Sequence, residues 1–422
     1  MNTRFVFLLA SLCFCFEIGA ASKFAIPDTD EGLPGDGPVR RYEWFKNLWE
    51  KKRSGWAKKV KEDQGALVFL GDSITQGWGD TMGNSFPGVK VANRGISGDT
   101  TRGVLIRLKE DVMDINPSGI VLLIGTNDLE EGAAPEVIAG NLKLIIKSLK
   151  EHNSTMPIIL CKVFPSSASK KRPAEEIKKI NELYFNVVKG DPQITILDTW
   201  LLFADNNGDA KKIEFPDLLH PNKSGYAKWA SALRPLLATH EFIEVDPDPF
   251  KMESGFVSLF NGKDLSGWEF RDRKTFKPTD VFDGKKSTQD GRYIAINDRL
   301  VVTTPPEGRR FQQIWTTKNF SGDFIFKVEF RATPNADSGI FIRRPQLQCR
   351  DYLLAGPWKE LKKYNPQEWN EIVVTVRDGI ARCTCNGEVL DDNFKVPLNG
   401  PIGFEGDMGQ MEYRRIRLKQ IN

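Results

Sequence analysis

The hydrophobic pattern changes its period near residue 245. Before that point, continuous apolar runs alternate with segments whose apolar positions recur about every 3.6 residues. The apolar runs predict five buried strands, at 66–70, 89–92, 120–124, 157–163 and 193–197. The periodic segments predict helices at 101–113, 135–152, 173–189 and 224–237. Strand–helix alternation of this kind is typical of a parallel sheet with helices on both faces.

The second half of the chain follows a period of two. Apolar and polar residues alternate at 324–331, 340–343, 372–377 and 415–419, and Asn-Gly or Asp-Gly pairs separate several short runs. This pattern predicts an all-β sandwich over residues 254–422. An acidic stretch with two prolines, residues 241–253, is interpreted as the linker to it.

An aromatic segment, residues 42–63, precedes the first predicted strand. Its aromatic and aliphatic residues are spaced as on an amphipathic helix: Trp44, Phe45, Leu48, Trp49 and Trp56. We interpret the segment as a helix that covers the sheet with its rings in the core, in preference to a sugar-binding platform. Residues 22–63 are therefore an N-terminal extension with a covering helix, and residues 64–240 form the first domain.

The first 21 residues resemble an export signal. Arg4 is followed by an apolar run over residues 5–16 and by small residues at 19–21. This order predicts a secretory signal peptide over 1–21, and hence a periplasmic or secreted protein. The apolar run is too short to span a membrane as a helix. With 59 Lys and Arg against 56 Asp and Glu, the net charge of +3 argues against a nucleic-acid partner.

Four cysteines remain after the predicted signal peptide. Cys161 lies in an apolar run and is predicted to be a buried thiol. Export permits one disulfide among Cys349, Cys383 and Cys385, and the sequence does not assign its pairing. No segment has the spacing of a metal site, so we expect neither a metal nor another cofactor.

Histidine is scarce, which narrows the choice of a general base. Of the three histidines, His220 stands three residues after Asp217, across a predicted tight loop. An aspartate so placed can bond the imidazole Nδ1 and leave the other nitrogen free to act as a base. Ser73 follows the first predicted strand, at the edge of a parallel sheet where ligands bind.

Two further loops are expected at the same edge. Residues 93–101 follow the second predicted strand and contain Gly98, and residues 125–128 follow the third and contain Asn127. A glycine N–H and an asparagine amide are suitable donors to an oxyanion. Each residue alone is an ordinary turn residue. Together with Ser73 and Asp217-x-x-His220 they form a specific constellation.

These four blocks resemble the SGNH (GDSL) hydrolase family over residues 64–238, and in particular its platelet-activating-factor acetylhydrolase-like branch. The resemblance implies a flavodoxin-like, three-layer α/β/α fold with five parallel strands. It implies Ser73 as nucleophile, His220 as general base and Asp217 as its orienting partner. It also implies an oxyanion hole formed by the N–H groups of Ser73 and Gly98 and the side chain of Asn127.

The second half resembles the 3-keto-disaccharide hydrolase domain family over residues 253–421. The segments that carry the resemblance are 255–268, 338–343 and 400–407. The resemblance implies a concanavalin-like jelly roll and keto-sugar chemistry. Family members tend to carry a glutamate in the strand after Ser338-Gly339, and residues 345–348 contain none.

The missing glutamate favours sugar binding over catalysis in the second domain. Glycoside cleavage usually needs a pair of carboxyl groups. The sequence offers these candidates without selecting a pair: Asp337, Asp351, Glu360 and Glu371. Four tryptophans could offer stacking faces, with at least half of them expected in the core: Trp268, Trp315, Trp358 and Trp369.

The sequence as a whole predicts an exported serine ester hydrolase with an attached sugar-binding sandwich. Its expected substrate is an acylated carbohydrate, most simply an acetylated one, or another small ester. One alternative is a glycoside hydrolase of 3-keto-disaccharides in the second domain, with the esterase accessory. Another is a carbohydrate-binding surface protein whose esterase site is vestigial. The acyl chain, the sugar and the oligomeric state stay open.

Overall fold

The computed structural model describes residues 22–245, 249–303 and 312–421. The predicted signal peptide at 1–21 and linker residues 246–248 lie outside the described residues. The helices are α1 (Glu43–Ala57), α2 (Ser73–Gly77), α3 (Thr101–Asp111), α4 (Thr126–Glu130), α5 (Pro135–His152), α6 (Ala174–Val188), α7 (Thr199–Phe203), α8 (Lys223–Thr239) and α9 (Tyr352–Ala355).

The strands fall into the two predicted groups. The first group is β1 (Leu67–Gly71), β2 (Val91–Gly95), β3 (Gly119–Leu123), β4 (Ile158–Cys161) and β5 (Ile194–Leu197). The second is β6 (Val257–Ser258), β7 (Trp268–Arg271), β8 (Pro278–Val281), β9 (Tyr293–Ile296), β10 (Arg299–Val302), β11 (Ile314–Thr316), β12 (Phe320–Ser321), β13 (Asp323–Ala332), β14 (Asp337–Ile342), β15 (Gln346–Gln348), β16 (Asn370–Arg377), β17 (Ile380–Cys385), β18 (Glu388–Lys395), β19 (Asn399–Gly400), β20 (Ile402–Met408) and β21 (Met411–Ile421).

The first five strands form one parallel sheet in the order β2-β1-β3-β4-β5. This is the flavodoxin-like order, and it confirms the predicted fold of the first domain. The carboxyl ends of all five strands meet at one edge, where the candidate loops were expected. Strand β2 begins at Val91, two residues later than predicted, and continues to Gly95. Within it, the buried Asn93 side-chain amide donates to the carbonyls of Thr75 and Gly79.

Each strand sends alternate side chains into two separate cores. In β3, Ile120 and Leu122 pack with α3, α5 and α6, whereas Val121 and Leu123 pack with α8. Burial on both faces explains why this strand reads as a continuous apolar run. Cys161 at the end of β4 is a buried thiol, as predicted, and burial raises its pKa to about 12.

The covering helix α1 only partly matches its prediction. Phe45, Trp49 and Trp56 are buried, as expected. The prediction was wrong for Trp44, whose side chain is 52% exposed. The buried stripe of the helix passes through positions 45, 49, 53 and 56. Position 44 is rotated about 100° from it, which turns the Trp44 ring toward solvent.

The second domain is an antiparallel β-sandwich, as predicted. The back sheet has the order β18-β17-β16-β13-β21-β10-β9, with β6 beside β21, and the front sheet has the order β15-β14-β20-β11-β7-β8. Strand β13 buries alternate residues, so that Phe324, Phe326, Val328 and Phe330 face the shared core. Cys349, Cys383 and Cys385 are buried free thiols, so the described residues contain no disulfide among them.

The two domains contact each other through polar side chains. Gln410 Nε2 donates to Pro235 O at 3.1 Å and to Thr239 Oγ1 at 2.9 Å, at the end of α8. Asn335 Nδ2 donates to Asp198 Oδ2 at 3.2 Å. Among the described helices, none has the length and apolar character needed to cross a membrane.

Candidate active site

Ser73 stands where β1 turns into the short helix α2. The turn needs glycine at position 71, because a Cβ there would lie 2.3 Å from Leu123 O. Asp72 caps α2, with Oδ1 accepting from the Ile74 N–H at 2.9 Å. Burial raises the pKa of Asp72 to about 6, and the cap that it provides supports the turn. The turn leaves Ser73 half-buried at the carboxyl edge of the sheet.

The loop before α8 brings His220 to this serine. His220 Nε2 lies 2.9 Å from Ser73 Oγ, and His220 Nδ1 lies 2.7 Å from Asp217 Oδ2. The other carboxylate oxygen of Asp217 accepts from the N–H groups of Leu219 and His220, at 3.0 and 2.7 Å. The three predicted side chains thus form one continuous hydrogen-bonded chain. The His220 and Asp217 side chains are 43% and 46% exposed, so a substrate can reach them.

Asp217 is held as a carboxylate. Burial alone would raise its pKa, but the hydrogen bonds from the His220 backbone, the His220 ring and the Leu219 backbone outweigh it and lower the pKa to about 2. An ionised Asp217 accepts a hydrogen bond from Nδ1–H. This contact favours the tautomer in which Nε2 carries the lone pair toward Ser73.

The predicted oxyanion donors stand after the first three strands, at the carboxyl edge of the sheet. Asn127 is buried at the start of α4, and its Nδ2 donates to Asp99 O at 2.9 Å, which leaves its second amide hydrogen for another acceptor. Gly98 has φ +87°, a conformation that favours glycine. In the described part of the chain, the N–H groups of Gly98 and Ser73 make no hydrogen bond. Each of the three groups therefore keeps an N–H hydrogen to which the described residues offer no acceptor.

Arg172 is a site residue that the sequence analysis missed. It is buried in the loop after β4, and its guanidinium donates to Asn127 Oδ1 at 2.9 Å, Thr126 O at 3.0 Å and Glu130 Oε2 at 2.8 Å. The contact with Oδ1 fixes the orientation of the Asn127 amide, with Nδ2 toward Asp99 O. Nothing in the local sequence distinguishes Arg172 from the surrounding surface lysines; only the topology brings its loop to this edge.

Buried aspartates support the loops from behind. Asp99 pairs with Arg107 at 2.7 Å, and both side chains are fully buried. Asp128 accepts from the N–H and the hydroxyl of Thr101 at the start of α3. Burial raises the pKa of Asp99 to about 6 and that of Asp128 to about 7. These carboxyl groups hold the loops of Gly98 and Asn127 together, and in the described part of the chain neither hydrogen-bonds the serine hydroxyl.

The second domain does not bring its four candidate acids together. Asp337 pairs with Arg350 at 2.8 Å, and Glu371 pairs with Arg417 at 2.7 Å on the back sheet. Glu360 is exposed. Asp351 is buried against the Asn335 N–H, Tyr364 and Gln367, and burial raises its pKa to about 6.

The front sheet instead gathers a different acid on its outer face. Glu405 is fully buried; its two oxygens accept from Gln313 Nε2 at 2.8 Å and Gln346 Nε2 at 2.5 Å. Trp315 and Phe341 lie in the next row of the same face, with ring centroids 5.1 Å apart. The sequence analysis missed Glu405, although the core-facing Phe404 beside it predicts that position 405 faces outward. Gln346 belongs to the segment without the family's glutamate.

Two glycines make room on this face. A Cβ at Gly403 would lie 2.6 Å from the Trp315 ring, and a Cβ at Gly339 would lie 2.3 Å from Gln346 Nε2. Trp315 and Gln346 can therefore lie flat over the sheet. Of the four tryptophans considered, Trp268 is fully buried in the core and Trp315 alone belongs to this row.

Both halves of the chain match known protein families. Residues 69–228 match the family model of the GDSL-like lipase/acylhydrolase family. The first half carries a GDSL-like lipase/acylhydrolase domain. Residues 255–419 match the 3-keto-alpha-glucoside-1,2-lyase-like domain. Both resemblances predicted from the sequence are thereby confirmed, and the GDSL-like domain makes the protein an ester hydrolase by class.

Curated relatives and solved structures match the GDSL-like domain. Platelet-activating factor acetylhydrolase IB subunit alpha2 from Homo sapiens is 27% identical over 233 residues, 54% of this chain and 96% of the relative. An arylesterase from Vibrio mimicus is 30% identical over 112 residues, 24% of this chain and 56% of that protein. A GDSL-like lipase structure from Bacteroides thetaiotaomicron is 24% identical and covers 46% of this chain and 97% of its own, with a TM-score of 0.40.

Proposed function

We propose that this protein hydrolyses carboxylic esters through an acyl-enzyme on Ser73. The carrying observation is the continuous hydrogen-bonded chain from Asp217 through His220 to Ser73 Oγ, with contacts of 2.7 and 2.9 Å. A serine hydroxyl is a weak nucleophile until a base removes its proton, and His220 Nε2 is in position to do so. Asp217 keeps the imidazole in the required tautomer and stabilises the imidazolium that forms.

The oxyanion of the tetrahedral intermediate would be held by three donors. These are the N–H groups of Ser73 and Gly98 and the Nδ2 of Asn127, whose amide Arg172 orients. Donors fixed before the reaction stabilise charge that develops only in the transition state, and one of them is typically worth about 3 kcal/mol. His220 then returns its proton to the leaving alcohol. Water, activated by the same histidine, hydrolyses the acyl-enzyme.

The substrate class that we propose is an O-acylated carbohydrate with a short acyl group. A domain of the 3-keto-alpha-glucoside-1,2-lyase-like type in the same chain supports the carbohydrate. The relatives named as acetylhydrolases support a short acyl group such as acetyl. Export to the periplasm or the outside of the cell, where such substrates are met, is part of the proposal and rests on the sequence of residues 1–21.

Acetate release from acetylated oligosaccharides tests this proposal. We expect wild type to release acetate and Ser73→Ala to release none above the uncatalysed rate. Ser97→Ala is the matched control, because Ser97 lies half-buried in the neighbouring loop and its N–H bonds Gln76. Acetate released equally by Ser73→Ala would overturn the nucleophile. Hydrolysis of p-nitrophenyl acetate without any release from sugars would overturn the substrate class alone.

A second candidate function belongs to the front sheet of the second domain. Glu405 with the amides of Gln313 and Gln346, and the Trp315 ring in the next row, give this sheet face the polar and aromatic groups that suit a sugar ring. The family match supports a keto-sugar as the ligand. Incubating the Ser73→Ala protein with a 3-keto-disaccharide distinguishes the possibilities: cleavage would make this domain an enzyme, whereas saturable binding without cleavage would make it a binding module.

A further inference from the structure

An exposed aromatic pair borders the proposed oxyanion hole. Tyr42 and Trp44, at the start of α1, are each 52% exposed. Their rings are nearly parallel, with an interplanar angle of 8° and centroids 6.4 Å apart. Aromatic rings on a helix commonly pack in the core, and the neighbouring Phe45 and Trp49 are buried there. The rings of Tyr42 and Trp44, which lie outside the buried stripe of α1, are thus free to contact a ligand.

Trp44 lies directly over Gly98. A Cβ on Gly98 would come within 2.7 Å of Trp44 Cη2 and within 2.9 Å of Arg40 Nη1. The Gly98 N–H is one of the three donors assigned to the oxyanion. A ligand group bound against Trp44 is therefore next to the loop that carries this donor.

Polar groups surround the aromatic pair. The Tyr42 hydroxyl bonds Glu131 Oε2 at 3.2 Å, and Arg40 bridges Glu130 and Glu131. Glu130 and Glu131 remain 37% and 21% exposed, so their oxygens can accept further hydrogen bonds. An alkyl chain laid here would desolvate these charges without replacing their hydrogen bonds, which is costly. A ligand with a flat apolar face and hydroxyl groups at its edge would satisfy both kinds of group.

We propose that Tyr42 and Trp44 form a stacking subsite for a pyranose ring of the ester substrate. This inference rests on the proposed function and deepens it, because it names the residues that select a sugar ester over a small ester. The N-terminal extension, residues 22–63, thereby contributes to the active site of a domain whose family match begins only at residue 69. Trp44 is a specificity residue here and takes no part in the proton transfers.

The kinetic test compares substrates of different size. In Trp44→Ala we expect KM for acetylated xylo-oligosaccharides to rise roughly five- to tenfold, the amount that an aromatic contact typically provides. We expect kcat, and the hydrolysis of p-nitrophenyl acetate, to stay within twofold, because the small ester does not reach the ring. Trp44→Phe should restore most of the affinity, whereas Trp44→Leu should not. Lys51→Ala, an exposed position on the same helix, is the matched control.

Three outcomes would overturn the subsite. Equal losses on the sugar ester and on p-nitrophenyl acetate would mean that Trp44 only supports the Gly98 loop. A loss confined to p-nitrophenyl octanoate would mean an acyl-chain site. Unchanged kinetics in every substrate would mean no contact. Binding of the acetylated oligosaccharide to Ser73→Ala, measured by calorimetry with and without Trp44→Ala, tests the subsite even if Ser73 proves not to be the nucleophile.

Discussion

The two domains hold their key carboxylates in opposite ways. Asp217 is 46% exposed, contacts an imidazole, and has its pKa lowered to about 2. Glu405 is fully buried and accepts from two glutamine amides. An imidazole can exchange protons near neutral pH, whereas an amide cannot. The first arrangement is therefore suited to moving a proton, and the second to accepting hydrogen bonds.

The two sites also differ in where the chain places them. Ser73, Gly98, Asn127 and His220 come from loops at the carboxyl edge of a parallel sheet, which collects loops that are distant in sequence. Glu405 and its neighbours stand on the face of an antiparallel sheet. Loop residues can form short motifs, but a residue on a sheet face shares its alternating pattern with every other outward position.

The largest expected effect tests the proton path of the first site. In Asp217→Asn, the amide oxygen can still accept from the two backbone N–H groups, but the amide nitrogen would face Nδ1 and favour the wrong imidazole tautomer. We expect kcat on p-nitrophenyl acetate to fall roughly 10³- to 10⁴-fold with little change in KM. Steady-state kinetics at neutral pH measure this directly.

Asp205 provides the matched control for that prediction. Its carboxylate accepts from the N–H groups of Asn207 and Asp209, a local role like that of Asp217, but among the described residues it bonds no histidine. Asp205→Asn should leave kcat within about twofold. If Asp217→Asn kept wild-type activity, the Asp217 carboxylate would only support its loop. The contrast between a proton-transfer site at Asp217 and a hydrogen-bonding site at Glu405 would then fail.

An intermediate effect is expected at the second site. Glu405→Gln replaces one of the two acceptor oxygens between Gln313 and Gln346 by an NH₂ donor, which removes a hydrogen bond. Binding of a 3-keto-disaccharide, measured by calorimetry on Ser73→Ala, should weaken roughly 10- to 100-fold. Ester hydrolysis in the otherwise wild-type protein should not change. Glu371→Gln on the back sheet is the control, and a parallel fall in esterase activity would contradict the independence of the two sites.

The periodicity of apolar residues predicted most of the fold, because a strand buried on both faces is apolar throughout, whereas a strand buried on one face alternates apolar and polar residues. The continuous run of β3 and the alternating run of β13 are such cases. The loops of Ser73, Gly98, Asn127 and His220 were predicted because strand ends fix their location. Trp44, Arg172 and Glu405 were missed or misplaced, because a helix pattern cannot say which aromatic lies beyond the buried stripe, and a lone arginine or glutamate has no periodicity.

The smallest expected effect concerns stability and compares one buried aspartate in each domain. Asp128 and Asp351 have pKa values raised by burial to about 7 and about 6, above the value of 3.8 expected in the unfolded chain. Between the unfolded pKa and the folded pKa of each group, the folded state therefore binds more protons than the unfolded state. The stability that each protonated carboxyl contributes is present at low pH and is lost as pH rises through the folded pKa.

Asp128→Asn should reduce this loss of stability in the first domain. The asparagine cannot ionise, while its amide oxygen can still accept from the Thr101 N–H and hydroxyl. Between pH 5 and pH 8, we expect the variant to lose about 2 kcal/mol less unfolding free energy than wild type, measured by urea denaturation. Asp351→Asn should do the same for the second domain over a lower pH range. If both variants kept the wild-type pH dependence, the buried carboxylates would be paired or hydrated enough to stay ionised, and the loops of the active site would rest on charged supports at every working pH.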